Sequence, residues 1–260
     1  MKIQTNLLFV LILSGLCGVV SCKKDKATPE NNLAGPGPSA QPEPGIYIPA
    51  KLTSGKSNII FSYTKAAALT KIDYENGDST ILKFNTAGKP LEFRSYESSK
   101  IVSASYYSRD LNGLITKAQV YRFVGKDEFK TGSYTITYGS DGKITTVAYY
   151  DKENRLLEEQ QYGYTAEGNL ATQKSALSDA AYSYDLKNGL FKNAGYAWLF
   201  ALEKENSLFL SIVNNVERCT FPLENSGNQL MSYTYNNAGY PATITSTVLG
   251  ITATAKVTYQ

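Results

Sequence analysis

Apolar and polar residues alternate with a period of two in several stretches of this chain. In Tyr134-Thr135-Ile136-Thr137-Tyr138 the rings and Ile136 fall on one side and both threonines on the other. Lys143 to Tyr150 divides the same way, with Ile144, Thr146, Ala148 and Tyr150 opposing Lys143, Thr145, Val147 and Tyr149. Near the end of the chain Ala255, Val257 and Tyr259 oppose Thr254, Lys256 and Thr258. That period marks half-buried antiparallel strands. Between strands a short unit recurs: an aromatic residue, a few polar residues, then Gly or Asn. It runs from Phe84 to Gly88, Tyr138 to Gly142, Tyr150 to Asn154, Tyr164 to Gly168 and Tyr235 to Gly239, with looser copies from Tyr107 to Gly113 and Tyr184 to Gly189. Such self-similarity predicts a meander of hairpins, and the glycines supply the positive φ that tight connections need.

Residues 91–96 and 101–107 read as one hairpin. Residues 118–124 and 129–138 read as the next, turning at Gly125-Lys126-Asp127. Leu156 to Tyr164 stands apart, because Glu158-Glu159-Gln160-Gln161 puts polar groups on both faces. A sheet with one apolar face must cover it, by closing on itself or by packing something against it. Residues 193–206 supply a filler: Tyr196, Trp198, Leu199, Phe200 and Leu202 leave almost no polar side, as in a buried helix. Asn193 is placed as its cap, and residues 193–213 as the non-repeated plug of a curved sheet. The expected fold is all-β: an antiparallel meander of repeated hairpins forming a strongly curled or barrel-like sheet, with one short buried apolar helix near 194–206.

The N-terminus has a different character. Lys2 precedes an apolar run from Leu7 to Val20, then Ser21-Cys22, the pattern of a secretory signal peptide. The run is shorter than the roughly 20 apolar residues of a membrane span. Val19-Val20-Ser21-Cys22 resembles a bacterial lipobox, which places cleavage before Cys22 and lipid on its thiol. Cys17 fits less well, since bulky Leu16 precedes it. Pro29, Pro36, Pro38, Pro42, Pro44 and Pro49 follow among Gly, Ser, Asn and Glu, a composition that buries too little surface to fold. The expected organisation is a signal peptide over 1–21, a lipidated Cys22 with a Pro-rich tether over 22–49, and a single β-meander domain over 50–260. Cys219 then has no intramolecular partner and reads as a buried structural thiol.

Composition narrows the chemistry. The chain has 20 Tyr and no His, which removes Ser-His-Asp and Cys-His nucleophiles and His-ligated metals. The 26 Lys plus Arg against 23 Asp plus Glu give +3, without the strong basicity of a nucleic-acid binder. Glu158 and Glu159 are strand neighbours that point to opposite faces, so they cannot jointly flank a glycosidic bond. Asp151 and Glu153 share a turn-like stretch. No catalytic residue, cofactor or metal site is expected. Tyr149, Tyr150, Tyr162 and Tyr164, together with the pair Tyr106-Tyr107, are the candidates for a ligand-binding aromatic platform.

The aromatic-polar-Gly unit loosely resembles the tyrosine-aspartate (YD, or Rhs-type) repeat, as in Tyr150-Asp151 and Tyr184-Asp185. A closer resemblance covers roughly residues 58–260. Tyr184 to Asn188, Leu190 to Asn193, Trp198-Leu199, Asn214-Asn215-Val216, Tyr233 to Asn236 and Gly239-Tyr240-Pro241 are similar to a family of bacterial lipoproteins of unknown function with a porin-like β fold. Gly189-Leu190 replaces that family's usual Pro. The resemblance implies a curled antiparallel sheet and transfers no functional residues.

Together these features describe a non-enzymatic lipoprotein of a Gram-negative outer membrane, held by its lipid, with surface display slightly favoured over the periplasmic face. It would act as a binding or structural module toward a polysaccharide or envelope protein, and not toward nucleic acid. The alternatives are a glycan-binding surface lipoprotein using exposed Tyr, and a carboxylate-dependent glycosidase or lyase. The Thr, Lys and Ser that occupy one strand face argue for a water-exposed domain over a membrane-inserted barrel.

Overall fold

The computed structural model describes residues 46–177, 179–204, 206–221 and 228–260. The signal peptide, Cys22 and the tether up to residue 45 lie outside them. Sixteen antiparallel strands follow one another in sequence order. They are β1 (Pro49–Ser54), β2 (Ser57–Tyr63), β3 (Leu69–Tyr74), β4 (Ser79–Phe84), β5 (Pro90–Glu97) and β6 (Lys100–Arg109). Next come β7 (Ile115–Val124), β8 (Asp127–Tyr138), β9 (Ile144–Asp151), β10 (Leu156–Tyr164), β11 (Leu170–Lys174) and β12 (Asp179–Tyr184). After a long insertion, β13 (Val216–Thr220), β14 (Gln229–Tyr235), β15 (Pro241–Val248) and β16 (Ile251–Tyr259) complete the series. β16 pairs with β1, Leu52 facing Val257 and Thr53 facing Lys256, so the sheet closes into a barrel without edges.

The recurring sequence unit now has a physical meaning. Every even-numbered strand ends at the same mouth of the barrel, the one where the described chain enters and leaves; we call it the proximal mouth. The last residues there are Tyr63, Phe84, Arg109, Tyr138, Tyr164, Tyr184, Tyr235 and Tyr259. Several of these hydroxyls clamp the start of the preceding strand. Tyr63 donates to Pro49 O (2.7 Å), Tyr138 to Ile115 O (2.9 Å), Tyr184 to Leu170 O (2.8 Å) and Tyr259 to Pro241 O (2.8 Å). The looser copy starting at Tyr107 is loose because β6 ends on Arg109.

Each turn then folds on its own polar residue. Asn85 Oδ1 accepts from the N–H of Ala87 and Lys89, Asp110 Oδ1 from Asn112 and Leu114, and Asn236 Oδ1 from Ala238 and Tyr240. These side chains satisfy backbone donors that a tight turn leaves without partners. Gly88, Gly113, Gly142, Gly168 and Gly239 have φ between 69° and 96°, as the turn pattern requires. Gly189 is the exception. It sits in the insertion, where a Cβ would stand 2.6 Å from Ser211 O, so close backbone approach and not φ demands glycine.

The insertion between β12 and β13 enters the lumen and fills it. Its helix α1 (Ala197–Lys204) is followed by a 3-10 turn over Ser207–Leu210. Asn193 is not the cap expected from sequence. It lies before the helix and donates instead to Tyr47 O and the Tyr240 hydroxyl, both at 3.0 Å. Leu190, Phe191, Ala197, Leu199, Phe200, Leu208 and Phe209 of the insertion are buried against Leu52, Phe61, Ile72, Leu82, Phe93, Ile136, Val147, Ile244 and Val257 of the wall. Each fully buried large side chain contributes about 1.5–3 kcal/mol. Asn215, itself 0% exposed, ties the neck: it accepts from Leu190 N–H (2.9 Å) and donates to Asp185 Oδ2 (3.0 Å) and Asn188 O (2.9 Å). Tyr184 to Asn193 and Asn214 to Val216 are therefore the two sides of this neck.

Candidate functional site

Two places in the barrel gather polar chemistry: the plug inside it and one sector of its outer wall. Inside, the last turn of α1 carries Glu203 and Lys204 on an otherwise apolar helix. Glu203 Oε1 accepts from Tyr107 (2.8 Å) and Tyr134 (2.6 Å), and Oε2 accepts from Ser105 (2.9 Å). Burial pushes the Glu203 pKa up, against the pull of these hydroxyls and of Lys204. Lys204 donates to Ser95 Oγ (3.0 Å), and burial lowers its pKa despite Glu203, Asp78 and Glu97 nearby. Strands β5, β6 and β8 thus hold the end of the plug helix through their inward side chains. The sequence signal was present: a Glu-Lys pair on a helix with no polar face must find partners inside.

The polar run of β10 resolves in the same way. Gln160 is buried inside, where its amide accepts from Tyr162 and Gln173, while Glu159 and Gln161 are exposed. Glu158 shares the inward face, with Ser175 donating to it. Asp151 and Glu153 are engaged by Arg155, whose Nε lies 2.6 Å from Asp151 Oδ2. Among the described residues no group of three His, Cys, Asp or Glu is placed to hold a metal ion.

The candidate tyrosines do not share a face. Tyr149 and Tyr162 pack inward against the core, the Tyr149 ring 5.8 Å from that of Tyr134. Tyr164 ends β10 at the proximal mouth, with Lys143 Nζ 5.4 Å from its ring centre and burial raising its pKa to about 12. Tyr150, opposite Ser133, is on the outer wall. Of the tyrosine pair Tyr106-Tyr107 also offered by the sequence, Tyr106 is outward and Tyr107 inward; the outward tyrosines that sequence reasoning did not gather are Tyr96 and Tyr121. Tyr106 lies between Glu92 and Gln119 in register, and Tyr121 beside Ala104. Alternation shows that Tyr106 and Tyr107 face oppositely; only the plug shows which of them faces inward.

Cys219 is 0% exposed beside Val216 and Met231, and burial raises its thiol pKa to about 12. Native protein is therefore expected to react with a thiol reagent such as DTNB at least about a hundredfold more slowly than protein in denaturant, because thiolate is the reactive form. Comparable rates in the two states would contradict the buried position.

No described protein family matches the chain, and no curated protein matches it in sequence. Solved structures do resemble it. A porin-like protein from Bacteroides uniformis aligns over 82% of this chain and 98% of its own, at 13% identity and a TM-score of 0.52. A porin-like protein from Bacteroides vulgatus aligns over 83% of this chain and 99% of its own, at 14% identity and a TM-score of 0.42. At such identities the likeness to the first establishes the fold, a closed barrel of hairpins, and nothing further.

Proposed function

We propose that this chain is a non-enzymatic, non-conducting barrel that stands in water beside an outer membrane, tethered through Cys22, and works as a binding or structural module through its outer wall. The observation that carries this reading is the polarity of the two faces. A membrane-spanning barrel has an apolar band outside and a polar lumen. Here the lumen holds Phe61, Ile72, Leu82, Phe93 and the apolar plug. The outer wall carries Lys51, Lys71, Asp73, Lys83, Glu92 and Arg94 on one flank. On the other it carries Thr234, Thr243, Thr245, Thr247, Thr252 and Thr254, whose hydroxyls bond in pairs across strands at 2.8–2.9 Å. Charges and hydroxyls at mid-strand would be expensive in hydrocarbon. The likeness to porin-like barrels supports the architecture, and the lipobox supports the anchor.

Reconstitution tests it. Lipidated protein is expected to float with vesicles and to add no unit conductance to a planar bilayer, while a Cys22→Ser form stays monodisperse without detergent. Discrete channel steps, or insertion of the Cys22→Ser form into vesicles, would reverse the reading.

A further inference from the structure

The outward tyrosines are not spread around the barrel. Tyr96, Tyr106, Tyr121 and Tyr150 all lie on β5 to β9, opposite the threonine-covered wall of β14 to β16. The Tyr106 and Tyr121 rings meet edge to face, centres 5.4 Å apart, both half-buried. Beside them two outward residues are sunk below their neighbours: Ala104 is 2% exposed and Glu92 7%. Small Ala104, flanked by Arg94 and Tyr121 in register, is covered by these longer neighbours, which bring aromatic and ionic side chains together over it.

The polar groups of this sector are held in place. Glu92 receives Lys83 at 2.8 Å and Arg94 at 2.9 Å. Burial works to raise the Glu92 pKa, and these two cations more than reverse it, leaving a carboxylate. Tyr121 donates to Gln119 Oε1 at 2.9 Å. Arg94 Nε is enclosed without a hydrogen-bond partner. Along the row Tyr106, Gln119, Ser133, Tyr150, successive residues sit on neighbouring strands, so the two rings are roughly 14 Å apart.

We infer that this sector is a saccharide-binding site that takes a short run of a neutral glycan, with one sugar over Tyr106 and Tyr121 and the chain running toward Tyr150. The inference rests on the outer wall facing water, as proposed above. A pyranose offers an apolar face rimmed by hydroxyls, which suits aromatic rings set among fixed planar acceptors and donors. Lys83 and Arg94 are matched by Glu92 and by Glu128, which faces the Tyr106 hydroxyl. Lys130, paired with Tyr121 in register, leaves a single positive charge in excess, a weak pull on a polyanion that the acidic comparison polymer measures. Acyl chains are disfavoured by the ion pairs of Glu92 with Lys83 and Arg94 beside the rings.

The test is native affinity electrophoresis of the whole protein through gels containing amylopectin, galactomannan, arabinoxylan or mixed-linkage β-glucan, with polygalacturonate as the acidic comparison. At least one neutral polymer is expected to retard the protein, with little change between low and high salt. Tyr106→Ala/Tyr121→Ala should lower that affinity by at least about tenfold, the effect of two lost ring contacts. Thr245→Ala/Thr254→Ala on the far wall should leave it unchanged. Unaltered thermal melting of both variants excludes misfolding. No retardation by any neutral polymer overturns the inference, as does retention in the Tyr106→Ala/Tyr121→Ala protein. Salt-sensitive binding to polygalacturonate alone overturns the neutral class. A dimer lost in the same variant would assign the sector to a second copy. None of these results bears on conductance or vesicle insertion, so the two readings fail separately.

Discussion

Glu203→Ala is expected to lower unfolding free energy by about 3–5 kcal/mol, whereas Glu203→Gln loses much less. Alanine leaves the hydroxyls of Tyr107, Tyr134 and Ser105 enclosed without their acceptor. Each unsatisfied group costs about 1–3 kcal/mol, and some of it is recovered when the side chains rearrange. Glutamine keeps an oxygen for the two phenols and offers its amide to Ser105. The pair also separates hydrogen bonding from charge. Because burial raises the Glu203 pKa, the folded state keeps its proton to higher pH than the unfolded chain, whose carboxyl titrates near 4.3. Stability from this residue is therefore full below that value and declines as pH rises toward the folded pKa. Lys204 has the opposite sign in the window just below the unfolded lysine value of about 10.4, since burial lowers its pKa and deprotonation then favours the folded state. Urea midpoints from pH 4 to 8 should show a descending contribution in the parent that Glu203→Gln removes. Equal pH profiles for the two proteins would mean that Glu203 is not enclosed as described.

This buried cluster also marks where sequence reading stops. Alternation located most strands, because period two is written in consecutive residues such as Tyr134 to Tyr138. The turn glycines and the apolar helix were legible for the same local reason. Closure was not, since pairing Leu52 with Val257 joins residues from opposite ends of the chain and no local pattern specifies it. Facing was half legible. Tyr149 and Tyr150 must oppose one another, yet both strand faces carry Thr and Tyr, so neither composition nor period told inside from outside. Register shifts beside Tyr63, Phe84, Tyr138, Tyr164 and Tyr235 compound this, because a bulge changes the phase of alternation at the end of each hairpin. The double-faced polarity of β10 had a cause that only the folded interior supplies: Gln160 is satisfied by Tyr162 and Gln173, inward neighbours on its own strand and the next.

Phe200→Ala is expected to cost about 3–5 kcal/mol, the range for removing a fully buried aromatic side chain. Phe200 is 0% exposed and belongs to a chain of rings that ties the plug to one flank of the wall, from β2 to β5. Phe61 meets Phe191 at 5.5 Å, Phe191 meets Phe209 at 5.0 Å, Phe209 meets Phe200 at 5.7 Å, and Phe200 meets Phe93 at 5.0 Å between ring centres. The alanine form loses the transfer energy of the ring and retains a cavity, because the hydrogen-bonded wall cannot collapse onto it. For a domain of this size the melting temperature should fall by roughly 6–20 °C. Leu111→Ala, at a fully exposed turn, should change stability by less than about 0.5 kcal/mol. Benzene is the sharper probe: an apolar cavity binds it, so it should raise the melting temperature of the Phe200→Ala protein and leave the parent unmoved. Conductance should stay absent in the variant, because Leu199, Leu208 and Phe209 still occupy the lumen around the missing ring. An unchanged melting temperature would show that the plug can leave the barrel without unfolding it, and the lumen, not the outer wall, would then be the surface to probe for ligands.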